Sequence, residues 1–100
     1  GPSGQNIYPE EIEDLLNAQP YIAESLVIER EGKLVALVYP DAEAMKQNKI
    51  SRETLLKIIH ETRKQINQQL PAYSQIARIE IHDEEFEKTP KRSIKRFLYQ

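Results

Sequence analysis

The sequence contains no cysteine and no tryptophan, and only three of its 100 residues are glycine. The absence of cysteine excludes a disulfide framework, a thiolate zinc site and a cysteine nucleophile. No apolar run approaches the roughly 18 residues that a membrane-spanning helix needs, and no signal-peptide pattern opens the sequence. We therefore expect a cytoplasmic protein whose association with membranes is at most peripheral.

Neither sign of charge dominates, because the sequence has 16 acidic residues and 14 lysines and arginines, which give a net charge of -2. This balance excludes a chain-wide nucleic-acid surface, although a local basic patch remains compatible with it. The length is sufficient for one domain with a modest core. Complete enzyme active sites are usually assembled from more chain than this, which suggests a part of a larger protein.

The first half of the sequence predicts a helix followed by a β-hairpin. Pro9 opens a helical pattern that runs to about Asn17, and the acidic residues after it suit the positive end of a helix dipole. Two apolar runs within residues 21–40 flank a turn composition centred on Gly32. The second run, Leu34–Tyr39, is apolar on both faces and is expected to be a central strand.

The second half predicts one long helix, one strand and a short terminal helix. Ser51 is a good N-cap for a helical pattern that continues to Pro71, whereas residues 41–48 read as a weak helix or a loop. Isoleucines over Ile76–Ile81 indicate a third strand, and the spacing of Ile94, Phe97 and Leu98 suits a short helix. The predicted class is α+β, with a small sheet of a hairpin and a further strand packed against helices.

No motif builds an active site by composition alone. His60 and His82 lack partners at a ligand-like spacing, and no phosphate-binding glycine loop or serine-hydrolase motif is present. The segment Lys88–Arg96 contains five cations and no acid in nine residues. Two interpretations fit it equally: a solvated basic tail, or a loop that presents charge to a phosphate or a carboxylate.

Two motifs at opposite ends of the sequence carry a resemblance. The segment Gly4–Glu13 (GQNIYPEEIE) resembles the G-x-N-[IV]-x-P-x-E-[IV]-E motif that opens the C-terminal lid domain of AMP-forming acyl-CoA synthetases. Lys88–Arg96 (KTPKRSIKR) resembles the closing P-K-T-x-x-G-K-I-x-R motif of the same superfamily. The resemblance extends from about residue 4 to 99, and the stretches 66–76 and 94–99 look most like the long-chain fatty acid branch.

The resemblance implies that residues 1–100 form the C-terminal domain of a long-chain fatty acid–CoA ligase. Its partner would be its own N-terminal domain, which binds ATP, Mg²⁺ and the fatty acid and lies outside this sequence, as does the family's hinge. Acyl-adenylate would form first and acyl-CoA second, with CoA as co-substrate and no nucleic acid involved. The isolated domain would be inactive.

The resemblance also assigns roles to the two motif segments. The opening segment, residues 4–8, would line the pantetheine tunnel during thioester formation; it comprises Gly4, Gln5, Asn6, Ile7 and Tyr8. The closing segment would enter the site during adenylation, where the family uses a lysine. That lysine position is Ser93 here, and the glycine position before it is Arg92.

Three explanations of this departure fit the sequence. A neighbouring cation takes over the charge, with Arg92 first because it is adjacent to Ser93, followed by Lys91 and Lys95. Alternatively the enzyme tolerates the loss, or the protein is a paralogue with weak adenylation. A different class of function is a stand-alone interaction module that binds a partner or a nucleic acid through its basic C-terminal segment. No metal site is predicted within the domain.

Overall fold

The computed structural model describes residues 6–100. In chain order it contains α1 (Pro9–Asn17), β1 (Ile22–Arg30), β2 (Lys33–Pro40), α2 (Ala42–Gln47), α3 (Arg52–Gln68) and β3 (Ile76–Ile81). One-turn 3₁₀ helices follow at Ala72–Ser74 and Arg96–Leu98. The predicted α+β class and the helix that starts at Pro9 are confirmed. Of the two alternatives for residues 41–48, a weak helix or a loop, the structure contains the helix α2.

The three strands form one mixed sheet in the order β1-β2-β3. β1 and β2 pair antiparallel through a two-residue turn in which Glu31 (φ 52°) and Gly32 (φ 78°) are both left-handed. This backbone pattern matches the natural twist of a tight hairpin. β3 lies parallel to β2 because the connection between them crosses over through α2 and α3. The prediction that β2 is the central strand is confirmed.

The sheet buries apolar side chains on both faces, which explains why the β2 sequence does not alternate. One face packs against α1 and α3, with Val27, Ala36 and Val38 among its contacts. The other face carries Leu26, Ile28, Val35 and Leu37. A strand covered on both sides reads as a continuous hydrophobic run.

The second face is covered by the irregular C-terminal segment rather than by helices. Phe86 is buried against it, with Ile94 and Tyr99 packed alongside. The ring of His82 stacks on Phe86 with centroids 4.7 Å apart, which gives this histidine a packing role.

The predicted short helix at the C-terminus is corrected by the structure. Only a single 3₁₀ turn forms at Arg96–Leu98. Phe97 is 72% exposed and Leu98 is 48% exposed, so the expected apolar stripe does not face the core. One turn of 3₁₀ helix is too short to present a continuous face, and only Ile94 from the predicted stripe packs inward.

Candidate functional site

The described part of the opening segment borders a groove beside the start of α1. Asn6, Ile7 and Tyr8 line one wall, and Leu70, Pro71 and Tyr73 line the other. The groove has a volume of about 490 Å³. Gly4 and Gln5, which were predicted to belong to the same segment, lie outside the described residues.

The closing segment forms a small hairpin, here called the closing hairpin (residues 88–94). Lys88 and Ile94 form an antiparallel bridge. The Arg92 amide donates to the Thr89 carbonyl at 2.8 Å, and the Thr89 amide donates to the Ser93 carbonyl at 2.8 Å. The Ser93 amide also donates to the Thr89 hydroxyl at 3.2 Å. Pro90 suits the turn because its fixed φ is compatible with the second turn position.

Arg92 adopts a left-handed backbone, with φ of 66°. A side chain in this region costs about 1 kcal/mol or more, and glycine does not incur this cost. The glycine of the family motif therefore has a conformational reason, and Arg92 occupies its position at the expense of strain. Residues held in such conformations concentrate at functional sites.

The last cation of the basic segment is bound to a buried carboxylate. Arg96 donates through Nη1 to Oε2 of Glu13 at 2.8 Å and through Nη2 to Oε1 of the same residue. Glu13 is only 7% exposed. Hydrogen bonding to Glu13 is the main cause that raises the pKa of Arg96, so this guanidinium is held as a cation by its partner.

Two lysines of the segment are likewise paired. Lys88 donates through Nζ to Glu24, to Glu85 at 2.9 Å and to the Phe86 carbonyl at 3.1 Å. The hydrogen bond that Lys88 donates to Glu24 is the main cause that raises the pKa of Lys88. Lys95 donates through Nζ to Glu87 at 3.1 Å.

Lys91 and Arg92 are left as the cations of this segment that form no ion pair within residues 6–100. Both are exposed. Arg92 and Ser93 also border a cavity of about 480 Å³ between the closing hairpin, α1 and β1, whereas Lys91 and Lys95 do not line it. Of the three predicted substitutes, Arg92 is the one that both lines this cavity and forms no ion pair within residues 6–100.

The two candidate surfaces lie on opposite sides of α1. Helix positions 11, 12 and 15 line the opening groove, and positions 10, 13 and 17 line the cavity at the closing hairpin. A rotation of about 100° per residue separates these two sets by about half a turn. One nine-residue helix thus divides the surfaces that carry the two motifs.

The sequence analysis missed two residues of this region, Glu13 and Phe86. Glu13 was read as one of several acids that suit a helix N-terminus, but it is buried and binds Arg96. A signal was present, because Glu13 ends the opening motif and Arg96 ends the closing one. Phe86 was overlooked within an acidic stretch, although a lone aromatic among charges favours burial.

The part of the chain that the structure describes contains no group of three or more histidine, aspartate or glutamate side chains placed to hold a metal. It also contains no helix long and apolar enough to cross a membrane.

Residues 2–99 match the model of the family described as AMP-binding enzyme C-terminal domain. The match spans nearly the whole sequence, so the chain belongs to this family. The resemblance stated above is confirmed at this level. No curated protein sequence matches the chain significantly.

Solved structures share the fold. A Brucella canis acyl-CoA synthetase is 25% identical, with a TM-score of 0.70 over 96% of this chain and 17% of that chain. The adenylation domain of a Mycobacterium chelonae carboxylate reductase is 18% identical, with a TM-score of 0.77 over 96% and 16% of the two chains. A Mycobacterium tuberculosis fatty acyl CoA synthetase is 24% identical, with a TM-score of 0.61 over 95% and 17%. The present chain spans about a sixth of the length of these relatives.

Proposed function

We propose that this domain is the C-terminal part of a larger acid–thiol ligase that works with ATP and CoA. In the first step a carboxylate oxygen attacks the α-phosphorus of ATP, forming acyl-adenylate and releasing pyrophosphate. In the second step the CoA thiol gives up its proton, its sulfur attacks the acyl carbonyl and AMP leaves. The observation that carries the proposal is that a family match over residues 2–99 coincides with two motif segments on opposite sides of α1.

Arg92 is the residue assigned to charge stabilisation in the first step. It forms no ion pair within residues 6–100, borders the cavity next to Ser93, and retains a strained backbone that glycine would relieve. A guanidinium presents a planar fork of donors that fits carboxylate and phosphate oxygens. Such a fork would stabilise the negative charge that builds on these oxygens during adenylation.

The opening groove is assigned to the second step. Its lining combines apolar side chains, such as Ile7, Leu15 and Leu70, with the polar groups of Asn6 and Tyr73. An extended, partly apolar chain that ends in a thiol, such as the pantetheine arm of CoA, has a matching combination of surfaces. Mg²⁺ and most of the nucleotide contacts are assigned to the rest of the enzyme.

A long-chain fatty acid is the proposed substrate. Its support is the resemblance of residues 66–76 and 94–99 to the long-chain branch of the superfamily. In the complete ligase, we expect kcat/KM for a long-chain fatty acid to exceed that for a short-chain acid and for an aromatic acid. A preference for the aromatic acid would overturn the substrate while leaving the two-step reaction intact.

The decisive experiment separates the two steps in the complete ligase that contains this domain. Arg92→Gln should lower pyrophosphate release by about 10²-fold, comparable to the loss of one transition-state donor, without slowing thioester formation from supplied acyl-adenylate. Lys91→Gln and Lys95→Gln are matched controls and should stay within a few-fold of the parent. Glutamine, like arginine, carries a Cβ, so backbone strain at position 92 is unchanged. Parent rates of pyrophosphate release in all three variants would refute the assignment.

A further inference from the structure

A single buried carboxylate joins three parts of the chain that are distant in sequence. Glu13 lies on α1 and accepts the backbone N–H of Val27 on β1 at 2.7 Å through Oε2. The same oxygen accepts Nη1 of Arg96, and Oε1 accepts Nη2. Glu13 and Arg96 are 83 residues apart in sequence. Both oxygens of the Glu13 carboxylate therefore accept hydrogen bonds, Oε2 from β1 and from Arg96, and Oε1 from Arg96.

The position of Arg96 is coupled to that of the closing hairpin. The preceding residue, Lys95, donates its amide to the Glu87 carbonyl at 2.9 Å, next to the Lys88–Ile94 bridge. Arg96 lies two residues after Ile94, so the short backbone between them restricts movement of the hairpin relative to the guanidinium. A two-bond arginine–carboxylate contact fixes orientation as well as distance, because both groups are planar.

The other strand of the hairpin is held independently. Lys88 binds Glu24, which lies on β1 three residues before Val27. One anchor, Lys88, begins the closing hairpin and binds β1 directly, whereas the other, Arg96, follows the hairpin by two residues and is connected to β1 through Glu13. The turn at 89–92, which carries Arg92, lies between the two anchors in the sequence.

From these contacts we propose that Glu13 is a positioning residue that acts through Arg96 to fix the closing hairpin relative to α1. Since the opening segment leads directly into α1, the same contact fixes the two motif segments relative to each other. Both surfaces would then keep a fixed arrangement within the domain. The catalytic consequence rests on the proposed function, whereas the structural part does not.

The structural part is tested by residue-resolved hydrogen exchange on the 100-residue chain. In Glu13→Gln, one amide oxygen can still accept from Val27, but the amide nitrogen faces an Arg96 donor and the two-bond contact is lost. We expect the amides of Thr89, Arg92 and Lys95 to exchange at least about tenfold faster while those of β2 change less, because local opening is separate from global unfolding. Asp14→Asn, at an exposed neighbouring position, is the matched control and should leave all of these amides unchanged.

Two exchange patterns would overturn the proposal. Unchanged exchange at the hairpin would mean that Glu13 does not hold it. Equal acceleration of the hairpin and β2 amides would mean that Glu13 contributes only to overall stability.

A second measurement tests whether Glu13 acts through Arg96. In the parent chain the Nη–H signals of Arg96 should be resolved by NMR, because the two-bond contact slows rotation of the guanidinium, and they should merge in Glu13→Gln. Hairpin exchange in the double variant Glu13→Gln, Arg96→Gln should equal that of Arg96→Gln alone. Additive acceleration in the double variant would contradict action through Arg96.

The catalytic consequence is tested in the complete ligase. Glu13→Gln should slow pyrophosphate release while thioester formation from supplied acyl-adenylate is retained. Parent pyrophosphate release despite accelerated hairpin exchange would overturn the catalytic consequence and the part of the hairpin in adenylation, while the structural role of Glu13 would stand. An impaired Arg92→Gln variant combined with unchanged hairpin exchange in Glu13→Gln would overturn the positioning role and leave the proposed function standing.

Discussion

The β1–β2 hairpin and the closing hairpin reverse the chain in similar ways but are stabilised differently. Both use left-handed backbone, at Glu31 and Gly32 in the first and at Arg92 in the second. The strands of the first hairpin are nine and eight residues long and are covered on both faces. The second has one bridge, one inward-facing isoleucine and ion pairs at its base.

The comparison shows that different interactions make the sheet rigid and orient the closing hairpin. Apolar burial is strong but non-directional, so it stabilises the sheet without aiming any particular atom. Ion pairs with shared hydrogen bonds are directional, so they can hold an otherwise polar hairpin in one orientation. The hairpin that presents Arg92 depends on the second kind of contact.

The largest expected effect comes from a substitution in the core of the first hairpin. Leu26 is fully buried on the sheet face beneath Phe86. Leu26→Ala should lower the free energy of unfolding by about 3 kcal/mol, because it removes apolar contacts and leaves a cavity. Urea denaturation measures this change, and Leu56→Ala at a half-exposed position of α3 is the control, with a change of about 0.5 kcal/mol or less. Equal effects of the two variants would contradict the core described here.

A smaller effect is expected at the base of the closing hairpin. Lys88→Met preserves the length of the side chain but removes the partner of Glu24, whose Oε1 atom is already buried without a hydrogen bond. Stability should fall by about 1.5–2 kcal/mol, the lower part of the range for a hydrogen bond to a charged group, because both side chains keep some contact with water. Lys91→Met, at an exposed position without an ion pair, is the control and should be nearly neutral. A neutral Lys88→Met variant would show that burial alone holds the hairpin.

The same lysine gives a pH dependence of defined sign. The hydrogen bond to Glu24 is the chief cause that raises the folded-state pKa of Lys88. The stability that Lys88 contributes is therefore fully present below its unfolded-state pKa, at about pH 10. This stability is lost as the pH rises through the folded-state pKa. The difference in unfolding free energy between the parent and Lys88→Met should therefore stay constant from neutral pH to about pH 10 and then shrink. A difference that disappears on acidification alone would assign the effect to another group.

The smallest expected effects sharpen the comparison of the two turns. Gly32→Ala should cost about 0.5 kcal/mol, because strain of about 1 kcal/mol in the left-handed backbone exceeds the entropic gain from removing glycine; a Cβ there would meet no atom within 4 Å. Arg92→Gly should instead raise stability by about 0.5 kcal/mol, because strain relief of about 1 kcal/mol exceeds the entropic cost of glycine. Thermal unfolding of both variants checks the opposite signs, and a loss of stability in Arg92→Gly would contradict the strain at this position.

The elements with periodic apolar patterns could be predicted from the sequence, because local hydrophobic spacing reports them directly. α1, the hairpin, α3 and β3 were all predicted in this way, and the two-faced apolar run of β2 predicted its central place. The terminal helix was not realised beyond one turn. Three apolar residues over one turn are too few to specify a helix without a surface to receive them.

The contacts of the candidate site could be predicted less well, because they join residues far apart in the chain. Glu13 and Arg96 each looked like ordinary surface charges, and only the fold brings them together in a buried contact. The glycine expected at position 92 by resemblance is compatible with the left-handed backbone of Arg92, but only the structure revealed this conformation. The motif thus located the position, whereas its conformation and the ion-pair partners required three-dimensional information.

The order in which the sheet is covered has a consequence for biosynthesis. Within residues 6–100, α1 and the β1–β2 hairpin are synthesised before Phe86, Ile94 and Tyr99, which cover the second face of the sheet. Until these three residues emerge from the ribosome, Leu26, Ile28, Val35 and Leu37 remain open to water or to a chaperone. The nascent domain is therefore most vulnerable to aggregation in the interval between the synthesis of the hairpin and the synthesis of these covering residues.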